Sequence, residues 1–207
     1  MFRLEISSDG CLAVSRRPGR VGLFTSLNCQ YLDIDLIECE QDFIRFSPNG
    51  QLFLVNRSNE QICIYKKTND HWISQNIISV DKPFVAVDLT DRHLFLADIC
   101  GDIYEIDLLV DQSSNCILRT SLQISNLLVF RFLVFTDQQN RICVHHYPNT
   151  LCIQGYCLSH TNAISHLKLL EHNCLLSASL DGKNMKTPSK TIDQSICFRY
   201  NSFMDFA

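Results

Sequence analysis

Long apolar runs are absent from this 207-residue chain: nothing approaches the roughly 18 apolar residues of a membrane-spanning helix. The opening Met1-Phe2-Arg3-Leu4-Glu5 lacks the apolar core of a signal peptide. A soluble, intracellular protein without a membrane partner is expected. Positive charge is scarce as well. There are 18 Lys and Arg against 22 Asp and Glu, a net charge of -4, spread without long runs of either sign. A protein that grips nucleic acid alone shows a basic face, so any RNA contact should be shared with a partner. Glycine occurs seven times, and neither G-x-x-x-x-G-K nor G-x-G-x-x-G can be found, which excludes the usual phosphate cradles. The G-x-S-x-G elbow of a serine hydrolase is missing too. Charged residues make up only 19% beside 46% hydrophobic, which rules out wholesale disorder.

What is abundant is cysteine, with eleven residues. Cys63, Cys143, Cys152, Cys174 and Cys197 each sit beside Ile, Val or Leu in strand-like runs. In a reducing compartment such thiols act as small buried hydrophobes, not as a disulfide framework. Cys143-Val144-His145-His146 with Cys152 and Cys157 raises the question of zinc. Structural sites pair their ligands at C-x2-4-C and H-x3-5-H spacing. On a strand Cys143 and His145 share one face while His146 points to the other, so no metal is expected.

The chain repeats itself. Leu12-Ala13-Val14, Leu52-Phe53-Leu54-Val55, Leu94-Phe95-Leu96-Ala97, Leu133-Val134-Phe135 and Leu175-Leu176-Ser177-Ala178 begin 40, 42, 39 and 42 residues apart. Ser7-Ser8-Asp9-Gly10 and Ser47-Pro48-Asn49-Gly50 are turns 40 apart. A polar turn and another β-branched run follow each of the first four units. A period near 40 built of four short strands is the signature of a β-propeller, one blade per repeat. No window of ten or more residues keeps a helical period of 3.6. Blades are expected at about 1–37, 38–80, 81–122, 123–158 and from Ser159 to Gly182. Residues 183–207 read as a divergent tail outside a proper blade. The expected fold is therefore all-β, an incomplete propeller of about four blades plus part of a fifth over 1–182.

One block carries more than periodicity. Phe132-Leu133-Val134-Phe135-Thr136-Asp137 runs through a polar turn into Arg141-Ile142-Cys143-Val144-His145-His146-Tyr147-Pro148. Tyr156-Cys157-Leu158-Ser159-His160-Thr161, Ile164-Ser165 and Leu175-Leu176-Ser177-Ala178 follow, with Asp181 beyond. This succession resembles one branch of the WD-repeat propellers, the non-catalytic subunit of the tRNA guanine-N7 methyltransferase. There a strand ends in A-D-R-D-E, continues as K-I-R-V-S and often reaches H-Y-P; G-H, a V-S pair and L-L-S-x-G-G-D come later. The resemblance spans roughly Asp42 to Asp181 and is strongest from Phe132 onward. It implies an accessory, non-catalytic protein with no cofactor of its own. The catalytic methyltransferase subunit would supply the S-adenosylmethionine site, and the propeller would hold it active and brace part of the tRNA. It also implies a nuclear location, with the cytoplasm open as well. The alternatives are a general WD-repeat scaffold with an unrelated partner, and a propeller hydrolase needing convergent carboxylates that the sequence does not offer.

The resemblance also nominates residues. The family's D-R-D-E-K-I-R segment provides charged contacts to the methyltransferase, which places a partner site on Asp137, Gln138, Gln139, Asn140, Arg141 and Cys143. Asp137 and Arg141 keep an acid and a base, whereas Gln138, Gln139, Asn140 and Cys143 are neutral. The same five-residue stretch reads equally as a solvated hairpin turn. Ser159-His160 stands where G-H is usual, and His160 with Asp181 is expected to lock its blade through a buried hydrogen-bond network. Ala97-Asp98-Ile99-Cys100-Gly101-Asp102 is a tight turn in which Gly101 suits a positive φ. In blade four the stretch from Ser121 to Phe130 lacks several residues of the family pattern, so a shortened or distorted first strand is expected. A complete ring in this branch has about seven blades, within the range of the fold. The resemblance therefore implies a fragment, a splice product or an incomplete gene model.

Overall fold

A computed structural model describes residues 2–16, 20–25, 29–33, 43–56, 60–69, 71–109, 114–170 and 174–187. These residues are all-β. Blade one is β1 (Phe2–Ile6), β2 (Leu12–Arg16), β3 (Arg20–Phe24) and β4 (Cys29–Asp33), paired in chain order. Blade two follows the same plan with β5 (Ile44–Phe46), β6 (Leu52–Asn56), β7 (Gln61–Thr68) and β8 (His71–Ser79). Blade three holds β9 (Phe84–Leu89), β10 (His93–Asp98), β11 (Asp102–Asp107) and β12 (Ser114–Arg119). Blade four holds β13 (Ile124–Val129), β14 (Phe132–Asp137), β15 (Ile142–His146) and β16 (Ile153–Cys157). Blade five shows three strands, β17 (Ile164–Leu170), β18 (Cys174–Ser179) and β19 (Asn184–Thr187). The five leucine-bearing runs of the sequence are β2, β6, β10, β14 and β18, the second strand of every blade. Of these, β6 and β14 are wholly buried and β10 nearly so, while β18 alternates buried and half-buried residues.

The chain divides into two compact units, Met1–Phe95 with Glu105–Asn115, and Leu96–Tyr104 with Cys116–Ala207. In the first, blade one contributes Ala13, Val21 and Leu23 to a core completed by Phe46, Phe53 and Trp72 of blade two. Full burial of a side chain such as Phe53 contributes about 2–3 kcal/mol. Among the described residues the indole N–H of Trp72 has no oxygen or nitrogen partner; the Cys11 thiol faces it. Arg45 of β5 ties neighbouring blades together, reaching Glu5 at 3.4 Å and Asp88 at 3.9 Å. Serine turns join the first two strands of blades one and two. The Ser7 and Ser47 amides donate to Cys11 O and Leu52 O, and Gly10 and Gly50 take φ of 82° and 69°. In the second unit Phe132, Val134 and Ile142 of blade four pack with Ile164, Leu167 and Leu175 of blade five.

Two expectations need correction, and a third is met in one of its two forms. The first strand of blade four is not shortened but is distorted: β13 has six residues, with a bulge between Ile124 and Asn126. The missing residues come out of the turn, which is reduced to Phe130 and Arg131. The boundary at Gly182 falls inside a hairpin, because Asn184–Thr187 pairs with β18 as a third strand. Cys152 is exposed and Cys174 half-buried, so only part of the thiol set is core; Cys197 lies outside the described residues.

Candidate functional site

The turn from Asp137 to Arg141 is built around one carboxylate. Asp137 ends β14, and its Oδ1 accepts the amides of Gln139 at 2.9 Å and Arg141 at 3.1 Å. Its own amide donates to Arg141 O, and its carbonyl accepts the Asn140 amide, both at 3.1 Å. Oδ2 takes the Arg141 guanidinium, Nε at 2.7 Å and Nη2 at 2.6 Å. Asn140 sits at φ 65°, in the left-handed region that asparagine tolerates better than most residues. The Asp137 side chain is 1% exposed and that of Arg141 31%. Asp137 therefore anchors the turn and aims Arg141. It does not itself offer a charge to a partner. The carboxylate raises the Arg141 guanidinium above its ordinary value, which leaves the cation fully charged.

Cys143, on β15 between Phe135 and Tyr156, is buried too. Burial first, then the neighbouring Asp137 charge, push its thiol up to about 12, with Arg141 acting in the opposite direction. Of the six residues assigned to a partner surface, Gln138 and Gln139 are exposed and Asn140 and Arg141 half-exposed. Asp137 and Cys143 lie beneath them. Iodoacetamide at neutral pH should accordingly modify the exposed Cys100, Cys116 and Cys152 and leave Cys143 intact until the chain is unfolded. Peptide mapping by mass spectrometry reads this; early alkylation of Cys143 would contradict the packing.

The same turn occurs one blade earlier. Asp98 Oδ1 accepts Cys100 N at 2.8 Å and Asp102 N at 2.9 Å, and Gly101 takes φ 89°. Ile99, at the tip of this turn, is 51% exposed. In blade five Ser179 replaces the aspartate, with its amide bonded to Lys183 O and Gly182 at φ 76°.

His160 and Asp181 meet. His160 Nδ1 lies 3.1 Å from Asp181 Oδ2, and Nε2 lies 2.8 Å from Ser177 Oγ. Asp181 also accepts the amides of Thr161 at 3.0 Å and Lys183 at 2.9 Å. Burial alone would raise this carboxyl, but the two amides and the imidazole outweigh it and hold it well below the usual carboxylate range. Ser177, His160 and Asp181 are linked in the order of a hydrolytic triad. Ser177 is 1% exposed, so no substrate carbonyl reaches its hydroxyl, and the linkage braces the blade. This third member, Ser177, was not nominated from sequence, although it lies within the repeated leucine run. His145 turns its Nδ1 to Thr150 O at 2.7 Å. Among the described residues no three His, Cys, Asp or Glu side chains converge as a metal site.

Four blades of four antiparallel strands and a fifth with three described strands define the fold as a β-propeller. A chain of the solved mitotic checkpoint complex has the same fold, with a TM-score of 0.71 at 13% identity over 91% of this chain and 60% of that one. No family model matches. Among curated proteins the chain is 26% identical over 168 residues to the tRNA (guanine-N(7)-)-methyltransferase non-catalytic subunit wdr4 of Dictyostelium discoideum. It is 25% identical over 146 residues to the tRNA (guanine-N(7)-)-methyltransferase non-catalytic subunit wuho of Drosophila melanogaster. Each match takes in 67% of this chain and 35% or 34% of the relative. The chain thus spans about a third of the length of these relatives. The resemblance read over roughly Asp42 to Asp181 is borne out by these names, which belong to non-catalytic subunits.

Proposed function

We propose that this chain is an accessory, non-catalytic subunit of a tRNA guanine-N7 methyltransferase. It binds the catalytic subunit through the Gln138–Arg141 face, stabilises it and braces the tRNA, and it works in the nucleus. The observation that supports this most is the loop's construction. A fully enclosed carboxylate holds the half-exposed guanidinium of Arg141 in one direction, which lowers the ordering cost of a charged contact on binding. The chain then contributes surface, and the partner contributes the cofactor and the methyl transfer.

The test uses Arg141→Glu, which leaves the anchor's backbone bonds in place. Reversing Asp137 as well would remove the turn's central acceptor and confound binding with folding. Capture of the catalytic subunit at physiological salt should fall about tenfold or more, equivalent to about 1.4 kcal/mol. Gln75→Lys, at an exposed site on β8, should bind like the parent. Undiminished capture by Arg141→Glu would remove the loop from the interface. Failure of the parent to capture the methyltransferase at all would favour a scaffold with another partner, a reading supported by the neutral Gln138 and Gln139. Fractionation of cells expressing the chain tests the nuclear location.

A further inference from the structure

We infer that one rim of blade four, built on Phe130, Arg131 and His146, is a stacking platform for an unpaired base of RNA. The inference rests on the tRNA bracing proposed above and names the side chains that perform it. With a net charge of -4 spread along the chain, a phosphate-gripping basic face is not what this protein offers. Stacking needs no such face, because bases lie flat on aromatic rings and on guanidinium planes whatever their sequence.

The rim lies where β13 turns into β14 and β15 runs on into the loop 147–152. Phe132 is its floor, a ring buried in the core against blade five and so unable to swing away. The Arg131 guanidinium lies over that ring, with Cζ 4.8 Å from the centroid. His146, paired with Phe132 across the two strands, brings its ring to 5.5 Å, and Phe130 meets Phe132 edge-on at 5.6 Å. The Tyr147 amide donates to Arg131 O at 3.4 Å, which ties the turn to the loop. Arg131 and His146 are exposed and Phe130 is half-exposed. Three planar groups are thus gathered round one fixed ring before any ligand arrives, which lowers the ordering cost of binding. Neither 130–132 nor 146–153 contains a carboxylate, so a phosphate backbone meets no repulsion from these segments. Blade three differs at the matching turn, which carries Asp91 and whose Arg92 is held by Asp107 at 2.7 Å. The platform and the Asp137 turn stand at opposite ends of β14, about 17 Å apart for six residues. The two surfaces can therefore be tested separately.

The test measures binding of tRNA, by fluorescence anisotropy, to the full chain in complex with the catalytic subunit. The double variant Arg131→Lys with His146→Ala keeps the positive charge and removes two planar faces. Its affinity for tRNA should fall about tenfold, with the parent's salt dependence, since no phosphate contact is lost. Capture of the catalytic subunit should match the parent. Both positions are exposed, so the fold should survive, and Arg131→Lys alone should show a smaller loss of the same kind. Unchanged tRNA affinity in the double variant overturns the inference and leaves the proposed function standing. A loss seen only with Arg131→Glu would reduce the rim to a phosphate contact and overturn stacking. Reduced capture of the catalytic subunit by the double variant would make the rim a protein contact, which overturns it as well. A parent that captures no methyltransferase overturns this inference together with the reading on which it rests.

Discussion

Gly101→Ala should lower the unfolding free energy by about 2–5 kcal/mol, a large part of a typical domain's stability. Two costs add. At φ 89° an alanine is strained, by about 1–2 kcal/mol. Its Cβ would also stand 2.2 Å from Leu122 O and 2.8 Å from Leu122 N. Those are backbone atoms, and Thr120 holds the approach closed by donating its amide and its hydroxyl to Gly101 O at 3.2 and 2.9 Å. Relief therefore requires moving the strand connection itself, an overpacking cost of about 1–3 kcal/mol. Gly182→Ala separates the two contributions, since Gly182 has φ 76° and nothing within 4 Å of a built Cβ. Urea unfolding of both variants should show Gly182→Ala losing only about 1–2 kcal/mol. Equal losses would mean that Leu122 does not crowd Gly101.

Asp181→Ala should cost about 2–4 kcal/mol, because it strips an acceptor from the Thr161 and Lys183 amides and from a buried imidazole at once. The carboxyl also confers a pH signature. Its folded-state value lies below the ordinary one, so the unfolded chain takes up the proton first as pH falls. The contribution is complete above about pH 4, the unfolded value, and is lost as pH drops further toward the folded one. The parent should lose stability more steeply than Asp181→Asn between pH 5 and the acid limit of the measurement. Parallel slopes would show that the carboxylate is not specially held.

The blades were legible because the repeats place the second strand of each blade at a near-constant interval, and leucine runs mark it. The Asp137–Arg141 turn was legible as a turn but not in its internal construction. Asp137 and Arg141 read as two solvated charges at the ends of a polar turn. Nothing in the letters says that the aspartate would turn inward to collect two amides and a guanidinium. Cys143 was misread for a related reason, since a neutral residue replacing a charged one within a functional segment looks like an altered contact until the strand's facing is known. The third strand of blade five escaped because it is four residues long and its buried Met185 stands between Lys183 and Lys186, so no periodic signal rises above them. The deletion in blade four could be counted but not placed, because a sheet gives up turn residues before ladder residues.

The repeated turn has a consequence for how such a protein can change. In the Asp98 and Asp137 turns the residue that fixes the backbone lies under the surface, while the two residues at the tip spend no hydrogen-bonding side chain on the fold. Ile99 and Cys100 in one blade and Gln138 and Gln139 in the next are drawn from very different chemistries on the same backbone. Mutational drift can therefore rewrite the tips one letter at a time without passing through an unfolded intermediate. New recognition properties become accessible by neutral steps, and the aspartate beneath them is the letter that selection on foldability would keep.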